Sequence, residues 1–576
     1  MYHLSIERRL REVVTSVLPD ANPNIIGVRP CPDPRFGDYQ TTALMALAKE
    51  RKMNPRALAA DVVRRLDVSE WCEPVEIAGA GFLNFRIKTS ALDRVLETAA
   101  RGEHLFLQKA PHPRKVLLDF SSPNVAKAMH VGHIRSTVLG DCLARIFRLL
   151  GHTVITDNHI GDWGTQFGKL LIGWKSQRDP AALQRDAISE MERLYKTVHS
   201  ACEKDPALLE QARQELVKLQ DGDPENLAIW REMIALSEKQ FDALYQRLGV
   251  RFDHTLGESF YNPQLKSLVQ TLADLGIARK SEGAIAVFFE DVPELKDHTA
   301  LIQKSDGAAN YATTDLATLE YRWETWKPDE VIYVTDGRQQ LHFKQVFTIF
   351  RRWHPEASMQ LVHVWFGAIL GPDGKPFKTR SGETIRLADL LDEAEERAYQ
   401  VVSQKNPELN EPQRREIARI VGLGAVKYAD LLPNRQSDYV FDWDKMLALN
   451  GNTAPYLQYA YTRIRSIFRK AESDPGATPS ADSTAVALSA PEEIQLAKHL
   501  LNFGLVLEAA AEECRPNYLC NYLYDLAGAF ARFYESCPVL KAEARQRYSR
   551  LVLCDLAGRV LCEGLGALGI ETTELM

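Results

Sequence analysis

His130 and His133 stand three residues apart with Val131 and Gly132 between them, and Asn124 and Lys127 precede them in the run from Ser121 to His133. Imidazole and amide nitrogens donate hydrogen bonds, a glycine lets backbone close on a ligand, and a lysine supplies positive charge. Together these groups suit a phosphate. Metal binding is the alternative for a histidine pair, with His152 and His159 also close in sequence. No cysteine accompanies them, however, and the H-E-x-x-H spacing with its glutamate is absent. A second set, Tyr311 and Asp315, is four residues apart, so the two share a face if the segment is helical. A carboxylate beside an aromatic ring offers a guanidinium a bidentate acceptor and a π face, although such pairs also decorate ordinary helix surfaces. A third set is cationic, with Lys375, Lys378 and Arg380 between Gly374 and Gly382.

The elements that must position these groups are legible around the first set. Lys115 to Phe120 is a short apolar run suited to a buried strand. From Ile134 the period changes: Ile134, Val138, Cys142 and Ile146 recur every four residues, flanked by Leu139, Leu143, Phe147 and Leu150. Gly151 stands where a left-handed helix terminator is wanted, and Thr153-Val154-Ile155 resumes a strand. Strand, loop, helix and strand in about forty residues form one βαβ unit of a parallel nucleotide-binding sheet. The histidine pair lies at its helix start, where free N–H groups and the dipole favour phosphate.

The stretch SSPNVAKAMHVGHIRS resembles the HIGH signature of class I aminoacyl-tRNA synthetases in the form found in arginyl-tRNA synthetases. About 245 residues downstream, Phe377-Lys378-Thr379-Arg380-Ser381 resembles the KMSKS loop of the same family, with Arg380 in place of its second lysine. Arginine keeps the charge but not the compact ammonium; in arginyl enzymes of this pattern the lysine before HIGH, here Lys127, shares that work. The resemblance implies ATP binding by Lys127, His130, Gly132, His133, Lys378 and Arg380, with Lys127, His130, His133, Lys378 and Arg380 as the catalytic set. It implies an L-arginine site built from Ser122, Pro123, Asn124, His133, Asn158, Tyr311, Asp315 and Gln339, with Gln340 the one-residue register alternative to the last. ATP and tRNA(Arg) are the implied partners of arginine, Mg²⁺ travels with ATP, and no tightly held metal is expected. Relatives of this kind form the adenylate only with tRNA bound.

The similarity runs from Gly37-Asp38-Tyr39-Gln40 to Met576, and the organisation it implies has three parts. Residues 1–108 read as a small α+β unit, either a structural cap or, by resemblance, a tRNA-contacting domain that uses Tyr39. Within it helical spacing (Leu4, Leu10, Val13, Val14, Val17) opens the chain, helices start near Thr41 or Thr42 and after Asn54-Pro55, and residues 76–87 read as a Gly-interrupted strand. Residues 109–414 form an α/β, doubly wound Rossmann-type domain with a helical insertion at about 170–290. Residues 415–576 read as helical. There Lys445 to Lys470 carries Arg463, Arg465 and Arg469 among Tyr456, Tyr459, Tyr461 and Phe468, with no acidic residue. Cations for phosphates and rings for unstacked bases suit single-stranded RNA; Tyr459, Arg463 and Arg465 are the tRNA contacts this predicts.

Composition bounds the rest. The 576 residues are 45% hydrophobic and 26% charged with a net charge of −7, which is globular usage and excludes a globally basic nucleic-acid binder. No apolar window approaches a membrane span, and the first fourteen residues hold three Arg and two Glu where a signal peptide would be apolar. Nine cysteines without C-x-x-C spacing favour a reducing, cytoplasmic setting and a monomeric chain is expected. The function implied is arginine–tRNA ligase. Two other classes share the motifs: a tRNA-independent nucleotidyltransferase, which would not require the helical tail, and a catalytically silent RNA-binding relative, against which the intact HVGH, Tyr311 and Asp315 argue.

Overall fold

The computed structural model describes residues 1–377, 384–472 and 485–576; Lys378 and Arg380 lie outside them. At its centre five strands run parallel: β1 (Lys115–Asp119), β2 (Thr153–Asn158), β3 (His254–Thr255), β4 (Glu330–Asp336) and β5 (Gln360–Phe366), in the spatial order β5-β4-β1-β2-β3. Val116, Leu117 and Leu118 of β1 and Val331, Ile332 and Val334 of β4 are fully buried, because helices cover both faces and no position is left for polar alternation. The chain travels outward from β1 to β2 and β3, then returns to the other side of β1 for β4 and β5. That reversal opens a crevice at the carboxyl ends of β1 and β4, where ligands of doubly wound sheets bind.

Helix α1 (Val131–Leu149) follows β1 and buries the apolar rows expected of it. A Cβ on Gly140 would come within 2.1 Å of the Phe120 ring, so only glycine lets the helix lie this close to the strand exit. Arg135, Ser136, Thr137 and Asp141 are buried as well: Ser136 and Thr137 face the β1–α1 loop and β4, while Arg135 and Asp141 are covered by C-terminal helices. Arg135 forms an ion pair there with Asp430 at 3.1 Å, donates to the carbonyls of Gly367 and Ser437, and lies over the ring of Tyr439.

Three expectations are corrected by these elements. Residues 76–87 form a hairpin, Glu76–Ala78 paired antiparallel with Phe82–Phe85, because Gly79 and Gly81 adopt positive φ and reverse the chain. The helical run from Gln166 to Leu248 is broken by β3, which joins the main sheet; the helix Asn262–Asp274 follows, and residues 279–303 carry a three-stranded antiparallel sheet. The boundary expected at 414/415 falls inside the helix Glu411–Leu431, a continuous element with its Asn410 capping box, so no domain junction sits there.

The N-terminal unit packs on the C-terminal helices, and this corrects the reading of Tyr39. Its side chain is 1% exposed and its hydroxyl donates to Asn502 Oδ1 at 3.1 Å, while Asp38 pairs with Lys498 at 2.8 Å. Tyr39 ties two regions of the chain together and presents nothing to RNA. In the helix Ala454–Glu472, Leu457, Ile464 and Ile467 face the core, whereas Tyr459 is 44% exposed and Arg463 is exposed with its guanidinium 5.0 Å above the Tyr534 ring. Arg465 pairs with Glu574 at 3.0 Å, so the carboxyl-terminal segment brings acid to a stretch that is purely basic in sequence. If this is the RNA face the resemblance implies, Arg463→Ala should weaken RNA binding and lower the slope of log K against log salt by about one unit, the loss of one phosphate contact. Arg465→Ala should do less. Equal and unchanged salt titrations for both variants would remove this face from the RNA-binding surface. Among the described residues no helix is long and apolar enough to cross a membrane.

Candidate active site

The loop from β1 to α1 carries most of the predicted site residues, and its backbone is unusual. Ser121, Ser122 and Ala126, none of them glycine, have φ of +74°, +49° and +61°, a local strain that the surroundings must hold in place. They do so with hydrogen bonds. Ser121 N–H donates to Ser136 Oγ at 2.8 Å, and Ser136 Oγ donates in turn to the Val334 carbonyl of β4 at 2.6 Å. Ser122 Oγ donates to Asp119 Oδ1 at 3.1 Å. The β2 exit zips alongside, with Val125 N–H bonded to the Gly161 carbonyl and Gly161 N–H to the Pro123 carbonyl, each at 3.0 Å. A Cβ on Gly161 would lie 2.4 Å from Asn124 Oδ1, so Asn124 packs over a position only glycine can fill.

Asn158, expected at the amino-acid end of the site, is 2% exposed with both arms engaged. Its Oδ1 accepts from Ser122 N–H at 3.0 Å and its Nδ2 donates to Tyr245 Oη at 3.1 Å. In this arrangement its side chain holds the substrate loop. Pro123 is buried beneath the loop, while Asn124 and Lys127 are exposed on it.

The histidine pair caps α1. His130 is the N-cap: its Nδ1 accepts from Gly132 N–H at 3.1 Å, while its own N–H donates to His133 Nδ1 at 3.0 Å. A side chain on Gly132 would meet the His130 ring at 2.9 Å. Because both Nδ1 atoms accept, each neutral ring carries its proton on Nε2. Burial, together with the adjacent His130, holds His133 down to about 3, and burial followed by the charge of Arg338 lowers His130. Both rings are thus neutral N–H donors near neutral pH, and positive charge must come from elsewhere. Exposed Lys127 is one source. Arg338 is another, on the turn after β4, anchored to Asp336 at 2.8 Å; its sequence context, an Asp-Gly-Arg turn, carried no phosphate signature.

The chain just beyond the second signature meets the first. Val131 N–H donates to the Ile385 carbonyl and Leu387 N–H to the Met129 carbonyl, both at 2.9 Å, so the chain emerging from the Lys378–Arg380 segment is tied directly to the start of α1.

Across the strand ends, helix α2 (Tyr311–Tyr321) presents Tyr311, 63% exposed, and Asp315. After β4 a single turn, Gly337–Gln339, leads into helix α3 (Gln340–Trp353). Gln339 is exposed, whereas Gln340 folds its amide back on the Gly337 carbonyl at 3.0 Å, which favours Gln339 of the two registers. From α3, His342 Nε2 meets Asp315 Oδ2 at 2.5 Å and its ring lies 4.8 Å from that of Tyr311. Glu258 adds acid to the same region: burial first, then the charges of Asp315 and Asp162 against the pull of His159, pushes it up to about 7. Two carboxyl groups with the Tyr311 and His342 rings beside them are what a guanidinium complements.

Beneath both halves sits Arg322, fully buried at the end of α2, with Nη2 2.7 Å from Asp119 Oδ2 and 2.8 Å from Asp157 Oδ2. No local pattern announced it, because its partners lie on β1 and β2.

A parallel sheet with a histidine-capped helix start at the β1 exit, and downstream chain tied back to that start at Ile385 and Leu387, defines a class I tRNA synthetase catalytic unit. Residues 95–443 match the family described as tRNA synthetases class I (R), catalytic domain; residues 4–87 match the arginyl tRNA synthetase N terminal domain and 457–576 the DALR anticodon binding domain. The chain belongs to the arginyl-tRNA synthetase family. It is 46% identical over 582 residues to an arginine–tRNA ligase of Chromobacterium violaceum, covering 100% of both chains, and 46% identical over 549 residues to that of Citrobacter koseri, covering 94% of each. The arginyl-tRNA synthetases of Plasmodium falciparum (28% identity, 100% of this chain and 99% of that one) and Thermus thermophilus (27%, 100% of each) superpose with a TM-score of 0.84.

Proposed function

We propose that this chain is an arginine–tRNA ligase: it activates L-arginine with ATP and transfers it to the 3′ end of tRNA(Arg). The observation that carries the reading is the placement of an anion-binding helix start and an acidic, ring-lined recess on opposite sides of one set of strand ends. ATP phosphates lie over the start of α1, where the Nε2–H groups of His130 and His133 donate to them and the positive end of the helix dipole favours their charge. Lys127, with Lys378 and Arg380 from the second signature, supplies the charge that neutral histidines lack. Arginine lies with its backbone end at Ser122, Asn124 and His133 and its guanidinium at Asp315, Tyr311 and Gln339. A carboxylate oxygen of arginine attacks the α-phosphorus, the bond to the bridging oxygen breaks, and pyrophosphate leaves with the Mg²⁺ it brought. The terminal ribose hydroxyl then attacks the adenylate carbonyl, loses its proton and expels AMP. Neither step needs a nucleophilic side chain, since positioning and charge neutralisation supply the catalysis.

The test is ATP–pyrophosphate exchange with each amino acid, with and without tRNA. Exchange should require arginine and tRNA(Arg) together. Exchange with no tRNA requirement would favour a free-standing nucleotidyltransferase, and tRNA binding without any exchange would favour a silent RNA-binding relative.

A further inference from the structure

A carboxylate reads a guanidinium well only when its plane is fixed, and the terminal torsion of an aspartate is intrinsically broad. Asp315 lies in the first turns of α2 with its side chain 21% exposed, so packing alone does not lock it. What fixes it is His342. Its Nε2 is 2.5 Å from Asp315 Oδ2, its side chain is 13% exposed, and its ring is held between Tyr311 at 4.8 Å and Phe343 at 5.2 Å. No donor reaches Asp315 Oδ1 among the described residues. His342 also stands one turn beyond Gln339 on the segment that opens α3. One ring therefore joins the element bearing Tyr311 and Asp315 to the element bearing Gln339.

We propose that His342 is a positioning residue for arginine specificity: by engaging Oδ2 it orients the Asp315 carboxylate so that Oδ1 faces the guanidinium, and it seats the Tyr311 ring beside that acceptor. His342 acts on ground-state recognition of the side chain and takes no part in phosphoryl transfer. This rests on Asp315 being the guanidinium partner.

The test compares two amides of different reach in the full-length chain with tRNA present. The Nε2 of a glutamine stands near the position of the histidine Nε2, whereas the Nδ2 of an asparagine falls short of it. His342→Asn should raise the KM for arginine roughly three- to tenfold, the worth of one lost hydrogen bond. The kcat and the KM for ATP should stay near their original values, and the preference for arginine over citrulline should narrow. His342→Gln should restore the arginine KM to within about twofold and recover the preference. Equal behaviour of the two variants, or a preference unchanged in both, would overturn the assignment and leave His342 a packing residue. Asp315→Asn run alongside separates the two ideas. If it leaves arginine recognition intact, the underlying reading of Asp315 has failed; if it weakens recognition while His342→Asn does not, the inference about His342 alone has failed.

Discussion

Replacing Asp315 by Asn should lower kcat/KM for arginine by roughly two decades, the equivalent of about 3 kcal/mol for removing one partner of a hydrogen-bonded charge pair. The substitution keeps the volume and an acceptor oxygen but removes the charge, so the guanidinium enters the recess without its counter-ion. The estimate sits at the low end of the range for such pairs, because the Asp315 side chain is 21% exposed in the ligand-free recess and retains some solvent. The KM for ATP moves far less, since the phosphate site at α1 is built from other elements. Citrulline, with a neutral urea in place of the guanidinium, loses much of its disadvantage, because the site no longer rewards charge. Initial rates of aminoacylation across arginine, citrulline and ATP concentrations decide the matter. A fall of less than tenfold with the arginine–citrulline ratio unchanged would leave Tyr311, Gln339 and Glu258 as the groups to test.

The parts of this site that could be read in the sequence are those whose signal is local. The apolar rows of α1 follow from the spacing of Ile134, Val138, Cys142 and Ile146, all of which are buried, and the histidine pair announces the start of that helix. In the first helix, Tyr2–Val17, the same method gave the element but only part of its inner face: His3, Ile6, Leu10 and Val14 are buried, while Leu4 is half-exposed. Periodicity identifies a face from one element's own residues, and a second element covering the other side goes unseen. Tyr39 is the clearest case. In a polar turn it looks available, yet a helix more than 400 residues away in sequence closes over it, its partner Asn502 lying 463 positions on. His342 and Arg322 escaped for a related reason. Each acquires its meaning from a partner on another element, Asp315 for the first and two strand ends for the second, and no composition or spacing rule links them.

Arg322→Met should destabilise the catalytic domain by about 3–5 kcal/mol, because it leaves Asp119 and Asp157 buried together with no counter-charge. In the wild-type chain a single guanidinium nitrogen lies 2.7 and 2.8 Å from the two carboxylates, with Arg322 and Asp157 side chains fully inaccessible and Asp119 6% exposed. The pair-wise geometry also explains why the penalty reaches function. Asp119 is the last residue of β1 and accepts from the Ser122 hydroxyl; Asp157 immediately precedes Asn158, which holds the Ser122 N–H. Repulsion between the carboxylates therefore spreads the strand ends on which the substrate loop rests. For a domain of this size the loss corresponds to a thermal midpoint lowered by roughly 10 °C. The pH dependence separates charge from packing. Burial already holds the Asp157 carboxyl above its ordinary value against the pull of Arg322, so losing that arginine raises it further, and the folded variant gains stability as this carboxyl protonates and loses it as pH rises. The deficit relative to wild type should thus be largest at pH 7 and above and should shrink toward pH 5. Asp119→Asn and Asp157→Asn introduced together in the Arg322→Met background should recover much of the stability at pH 7, since they remove the uncompensated charge. A midpoint shift under 3 °C, or a deficit that is the same at pH 5 and pH 8, would mean that the triad contributes only packing, and the restraint on the Ser122 loop would then have to come from Ser136 and Asn158 instead.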